Sequence, residues 1–229
     1  MPREALNDHL KQAEQGQGPF PMEDDAVTTT VRGTQGRILD FGGFPGRWEI
    51  TRSTEDTNGD SLQMRFEIES VPEEGPFVHT HPSAEESYEV RSGVLEVYED
   101  GEWLEVAAGE KHTVPPGTPH TFRNRTPVEL INVHRPALQH EAFFRRFHRL
   151  VAEQGVSLPP DGFGDVVRIA MLTTEHEEDI HAVSPPHWAF KGFAGLGRLL
   201  GFELPPAENV GVQPGTDADE DTKRYDGIG

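Results

Sequence analysis

His79 and His81 lie two residues apart in the extended run GPFVHTH, so on a strand both imidazoles leave the same face. Glu86 follows across the turn PSAE at the start of the next β-favouring run, where a hairpin return brings its carboxylate beside them. Glu85, one residue off, points the other way. In a second segment, GEKHTVPPGTPHTFRN, the rigid turn Pro115, Pro116, Gly117 sets the direction of His120. Three neutral imidazoles and one carboxylate form a mixed nitrogen and oxygen donor set. Such a set suits one divalent transition metal (Mn, Fe, Co, Ni, Cu or Zn) better than Ca or Mg. Glu86 doubles as a candidate proton acceptor. Tyr88 shares its parity, which makes it a second candidate catalytic group, although a packed aromatic ring is the plainer expectation.

The elements that must position these groups are short. From Ala26 to Arg135, β-favouring runs such as RILDF, RWEIT, ESYEV and VELINVH follow one another, with turn signals such as TNGD and EDGE between them. In SLQMRFEIES, Leu62, Met64, Phe66 and Ile68 alternate with Gln63, Arg65, Glu67 and Glu69, the pattern of a strand wet on one side. About ten such strands with no helix-length gap predict an all-β, antiparallel sandwich or barrel. Met64, Phe66 and Phe122 are expected to point inward, and Arg65 outward.

After Pro136 the texture becomes helical. HEAFFRRFHRLVAEQG carries Phe143, Phe144, Phe147, Leu150 and Val151 at helical spacing and stops at Gly155. DVVRIAMLTTEHEEDI and HWAFKGFAGLGRLLGF read as two more helices separated by SPP. The chain thus divides into an N-terminal arm over 1–25, which is either loose or a short helix, a barrel over 26–136, a helical extension over 137–205 and an acidic flexible tail over 206–229. Asn132 and His134 share a face of the last barrel strand, with His134 expected to be structural. His112 is expected to stand apart from the metal ligands. His140, His148, His176, His181 and His187 have no matched partner spacing, so surface or capping roles are expected for them.

The two segments resemble the paired motifs of the cupins. Gly109, Pro115, Gly117, His120 and Asn124 match the second motif without a gap. His79, His81, Glu86 and Gly93 match the first, but three residues separate Gly75 from His79 where the pattern has five. That departure precedes the ligands. The resemblance covers residues 40 to 136 and implies a single double-sheet jelly-roll barrel with the metal in its mouth. It also implies an oxygenase similar to quercetin dioxygenase, with a ligand-binding cupin lacking turnover, or an isomerase or lyase, as alternatives. Asn124 is expected to tie its turn together.

Composition narrows the rest. Among 229 residues, 40 Asp and Glu oppose 20 Lys and Arg, giving a net charge of −20. This repels phosphate backbones and anionic lipid, so neither nucleic acid nor membrane is expected as a partner. The partners expected are a small-molecule ligand or substrate and, through sheet edges, a second copy in a homodimer. With no cysteine, thiolate metal sites and cysteine nucleophiles are excluded. The polar N-terminus and the lack of any run near 20 apolar residues lead to the expectation of a cytoplasmic protein.

Overall fold

The alternation of Leu62, Met64, Phe66 and Ile68 is realised as a strand whose even residues are buried while Gln63, Arg65 and Glu67 remain half-exposed. A computed structural model of the protein describes residues 36–69 and 75–207. The arm over 1–25, the run TTTV and the tail beyond Ala207 lie outside the described residues.

Among the described residues, ten strands precede the first helix: β1 (Ile38–Asp40), β2 (Arg47–Arg52), β3 (Leu62–Ile68), β4 (Val78–Thr80), β5 (Glu85–Ser92), β6 (Val94–Glu99), β7 (Glu102–Ala107), β8 (Lys111–Val114), β9 (His120–Arg123) and β10 (Val128–Arg135). Then come α1 (His140–Gln154), α2 (Phe163–Glu175), β11 (His181–Ser184) and α3 (His187–Leu199). A six-stranded sheet runs β1-β2-β3-β10-β5-β8, and a five-stranded sheet runs β11-β4-β9-β6-β7. Every pairing is antiparallel. The fold is therefore the expected all-β jelly roll with C-terminal helices.

The barrel interior is graded from apolar to polar along the strands. In the β5–β10 ladder, Val90 opposes Leu130, Tyr88 opposes Asn132 and Glu86 opposes His134. All six side chains are buried. One end is thus ordinary hydrophobic core, and the other collects groups that can ionise or coordinate. The apolar end includes Trp48 stacked on Phe66 with ring centroids 4.4 Å apart. Each aliphatic or aromatic side chain fully buried there contributes about 1.5–3 kcal/mol, which offsets the cost of holding the polar end dry.

Helix α1 forms where the sequence places it, closed by Gly155 in the left-handed conformation (φ 67°), whose N–H donates to Val151 O at 3.1 Å while that of Val156 donates to Leu150 O at 3.2 Å. Its aromatic side brings Phe144 to 5.5 Å from Trp48, edge to face, which seats the helix on the barrel. The stretch 165–180 differs from the expected uninterrupted helix. Helix α2 stops at Glu175, and after a turn His181–Ser184 forms β11 against β4. Without β11, the three-residue β4 would be an edge strand of the second sheet.

Candidate metal centre

Both sheets contribute to the polar end. His79 on β4 lies opposite His120 on β9, His81 follows β4 directly, and Glu86 reaches in from β5 in the other sheet. All four are buried, and one donor atom from each lies within 4.8 Å of the others. Donors that share an ion at about 2.1 Å are about 3 to 4 Å apart, so the set fits a divalent metal. Two glycines of the sequence motifs act on this geometry. Gly117 adopts φ +76°, open to glycine at little cost, and its N–H donates to the carbonyl of His81 at 2.8 Å. Gly75 lets the chain pass so close to β9 that a Cβ there would sit 1.6 Å from the carbonyl oxygen of Phe122.

Each histidine of the set is oriented through its far nitrogen. His79 Nδ1 donates to Phe77 O at 2.8 Å, His120 Nδ1 to Thr118 O at 2.8 Å, and His81 Nδ1 to Asp179 O at 2.7 Å. A carbonyl accepts only, so these bonds fix the Nδ1–H tautomer and leave Nε2 as the coordinating atom. Glu86 Oε2 lies 3.1 Å from His81 Nε2 and 2.8 Å from His120 Nε2, while Oε1 accepts from Asn132 Nδ2 at 2.7 Å.

The electrostatics favour metal binding. Burial holds His79 well below its ordinary pKa, reinforced by His120 and His81. Burial opposes charge on His120 too, but the hydrogen bond and charge of Glu86 outweigh it and raise that ring. For Glu86, burial alone would push the carboxyl up. The neighbouring His134 and the bonds from His120 and His81 hold it well below the usual carboxylate range. His79 held neutral beside an ionised Glu86 is in the state a cation requires, and the raised His120 gives up its proton when a cation takes its Nε2.

The site holds two histidines that sequence reasoning did not place there. His134, expected to be structural, is fully buried with its Nε2 3.5 Å from Glu86 Oε1, and neither ring nitrogen has a hydrogen-bond partner. Burial keeps it neutral, with a pKa well below the ordinary value. His140, expected at the surface or as a cap, is 1% exposed. Its Nδ1 donates to Ala137 O at 3.0 Å and its Nε2 lies 3.0 Å from His81 Nδ1. His81, His134 and His140 thereby form a second group of mutually close nitrogens. For His134 the signal was its shared face with Asn132 on β10, which left open whether that face turns inward. For His140 there was none, because the first residue of a helix falls in no strand register.

The remaining candidates lie elsewhere. Tyr88 is buried in the barrel core with its hydroxyl unpaired, and burial, then the charge of Glu86, raises its pKa. Its ring packs against Phe122 at 5.7 Å, and it does not line the cavity described below. Asn124 donates to the carbonyls of Glu69 (2.7 Å) and Thr126 (3.0 Å), which ties its turn. His112 pairs with Glu99, outside both histidine groups, and Glu85 is half-buried at the head of β5. His176, also expected at the surface or as a cap, is buried at the C-terminal end of α2.

The centre opens into a cavity of about 1040 Å³. The barrel supplies Trp48, Phe66 and Phe122, and the helical extension supplies Phe143, Phe144, Phe147, Leu172 and Phe190. Among its described lining residues the ionisable groups are His79, His81, Glu86 and His134, with no Lys or Arg. Four barrel arginines are engaged with carboxylates: Arg47 and Arg65 with Glu67, Arg91 with Glu89, and Arg123 with Glu96.

Two antiparallel sheets closing on three histidines and a glutamate define a small-barrel protein with a buried donor set at its mouth. Residues 66–134 match the family model of the cupin domain. Solved structures similar to this chain include KdgF from a Halomonas species, at 20% identity over 42% of this chain and 83% of that one, with a TM-score of 0.36. A predicted oxalate decarboxylase from Thermotoga maritima shows 20% identity over 39% and 79%, with a TM-score of 0.36. A Streptomyces PAC13 variant with uridine shows 21% identity over 42% and 72%, with a TM-score of 0.35. A comparison with curated proteins returns no match. No helix among the described residues is long and apolar enough to cross a membrane.

Proposed function

We propose that the protein is a metal-dependent cupin oxygenase that acts on a small, uncharged enol or phenol-like substrate, with dioxygen as co-substrate. The observation that carries this reading is the junction of the His79, His81, Glu86 and His120 set with an aromatic cavity that has no cationic lining residue. A sugar acid or keto acid would need an arginine or lysine to meet its carboxylate, which weighs against an isomerase or lyase of anionic substrates. Aromatic walls favour a flat apolar substrate instead.

A divalent metal held here would supply Lewis acidity and redox chemistry. The chain's own groups do the rest. Glu86, ionised and dry, accepts the proton of a substrate hydroxyl at its carboxylate. His134, whose two nitrogens lack partners, offers that hydroxyl a hydrogen bond, because an imidazole left unsatisfied in an apolar wall costs about 1–3 kcal/mol. The phenylalanines of α1 exclude water and press the ring of the substrate toward the donor set.

The test is oxygen uptake by protein loaded in turn with Fe²⁺, Mn²⁺, Ni²⁺, Co²⁺ or Cu²⁺, with a panel of neutral phenols and diketones beside their carboxylated analogues. Uptake with the neutral compounds is expected, falling about 10²-fold or more in Glu86→Gln that still holds metal. Turnover confined to the carboxylated compounds, or unchanged in Glu86→Gln, would sink the reading.

A further inference from the structure

Two of the three coordinating histidines are fixed locally. His79 and His120 each bond a carbonyl two residues upstream. His81 is different, since its Nδ1–H reaches Asp179 O, 98 residues later and outside the barrel. We propose that the Asp179 turn between α2 and β11 is the positioning element for His81, which makes the C-terminal extension a working part of the metal centre. The inference rests on the metal-binding reading above.

The turn is built to hold one carbonyl in place. Asp179 Oδ1 accepts the N–H of Gln139 at 3.0 Å, and Oδ2 accepts Nδ1–H of His176 at 3.3 Å. The N–H groups of Asp179 and Ile180 both donate to His176 O at 2.9 Å. His176 is held in turn, its Nε2 receiving Arg146 Nη1 at 3.2 Å, and Arg146 pairs with Glu175 at 2.8 Å. On the far side, His181 is in register with Thr80, the residue between His79 and His81. His140 Nε2, 3.0 Å from His81 Nδ1, gives the same proton a second acceptor. Asp179, His176, Arg146 and His140 are all buried. Without this clamp the His81 ring turns about its own axis and presents either nitrogen to the ion. With it, Nε2 alone is presented, and partners of this kind are worth about 10- to 100-fold in metal affinity.

Asp179 also carries a charge that would attract a cation, so the experiment separates position from charge. Co²⁺ affinity is measured by chelator competition, and the His81 ring tautomer is read by ¹⁵N NMR on the metal-free protein. Wild type should show the Nδ1–H form alone. Asp179→Ala should show mixed tautomers and bind Co²⁺ about 10- to 100-fold more weakly. Asp179→Asn keeps an acceptor for Gln139 but sets its amide N–H against His176 Nδ1–H, so it loses one of the two bonds with the charge and should fall between wild type and Asp179→Ala. In a His81→Ala background, Asp179→Ala should cause no further loss. His176→Phe, which keeps a ring and removes the donor to Asp179 Oδ2, serves if Asp179→Ala does not fold. It should weaken Co²⁺ binding severalfold, and only while His81 is present.

A single tautomer with unchanged affinity in the variant that folds would overturn the proposal. So would a loss that persists without His81. If wild type binds no Co²⁺ or other divalent metal, the metal reading fails, and the tautomer result alone decides whether Asp179 sets the ring.

Discussion

Lowering the pH should unfold the metal-free protein well before its surface carboxylates titrate, because several histidines are buried neutral. His140 shows the size of the effect. Burial, then the neighbouring His81, lowers its pKa from 6.5 to about 4. Above pH 6.5 both folded and unfolded chains carry this ring neutral, and it contributes nothing to the pH dependence. Between pH 6.5 and about 4 the unfolded chain takes up a proton that the folded chain refuses, so stability falls as pH falls. At 1.36 kcal/mol per unit, the ring costs about 3 kcal/mol by pH 4. His79 and His134, also lowered, act in the same direction. His120 has a raised pKa and acts above pH 6.5 instead, where its contribution is lost as pH rises through the folded value. Against a typical total of about 5–15 kcal/mol, the summed loss is large. Urea unfolding of chelator-treated protein, followed by tryptophan fluorescence at pH 7, 6, 5 and 4, reads it directly. His140→Phe should flatten the slope by about one proton over that range. A midpoint unchanged from pH 7 to pH 5, or the same slope in His140→Phe, would refute the assignment of a buried neutral imidazole.

Two further outcomes are expected. Adding Co²⁺ at 100 times its dissociation constant should stabilise the folded protein by about 2.7 kcal/mol, seen as a rise in unfolding temperature, and His79→Ala or His120→Ala should abolish the rise. Asn124→Ala removes a fully buried amide that satisfies the carbonyls of Glu69 and Thr126, and should cost about 1–3 kcal/mol in urea unfolding with little change in Co²⁺ affinity.

Strand parity carried most of what was legible in the sequence. It orders Leu62, Met64, Phe66 and Ile68 inward, and the same rule brings His79, His81, Glu86 and His120 to one point. A period of two leaves no freedom once one face is buried. Parity put Asn132 and His134 on one face of β10 but left open which face turns inward, and it could not show that the His134 nitrogens would lack partners, which depends on how β10 sits beside β5. The extension was less legible. Ile169, Ala170 and Leu172 keep helical spacing into TTEHEEDI, and four residues, HAVS, are too few to announce a strand by composition. Helix α2 ends at Glu175 because the next turn is committed to β4 and the barrel, a tertiary demand with no local signature. His140 was missed for the same reason, since its role exists only once α1 docks.

The bond from His81 to Asp179 also has a consequence for the order of events at the ribosome. The barrel strands are complete at Arg135, and the other three donors are then in place. The carbonyl that orients His81 emerges more than forty residues later, and the strand that braces it ends at Ser184. A nascent barrel therefore carries a donor set with one member still able to turn. On the proposed metal reading, an ion that arrived before that point would meet a looser site than the finished one, so selectivity would belong to the completed chain.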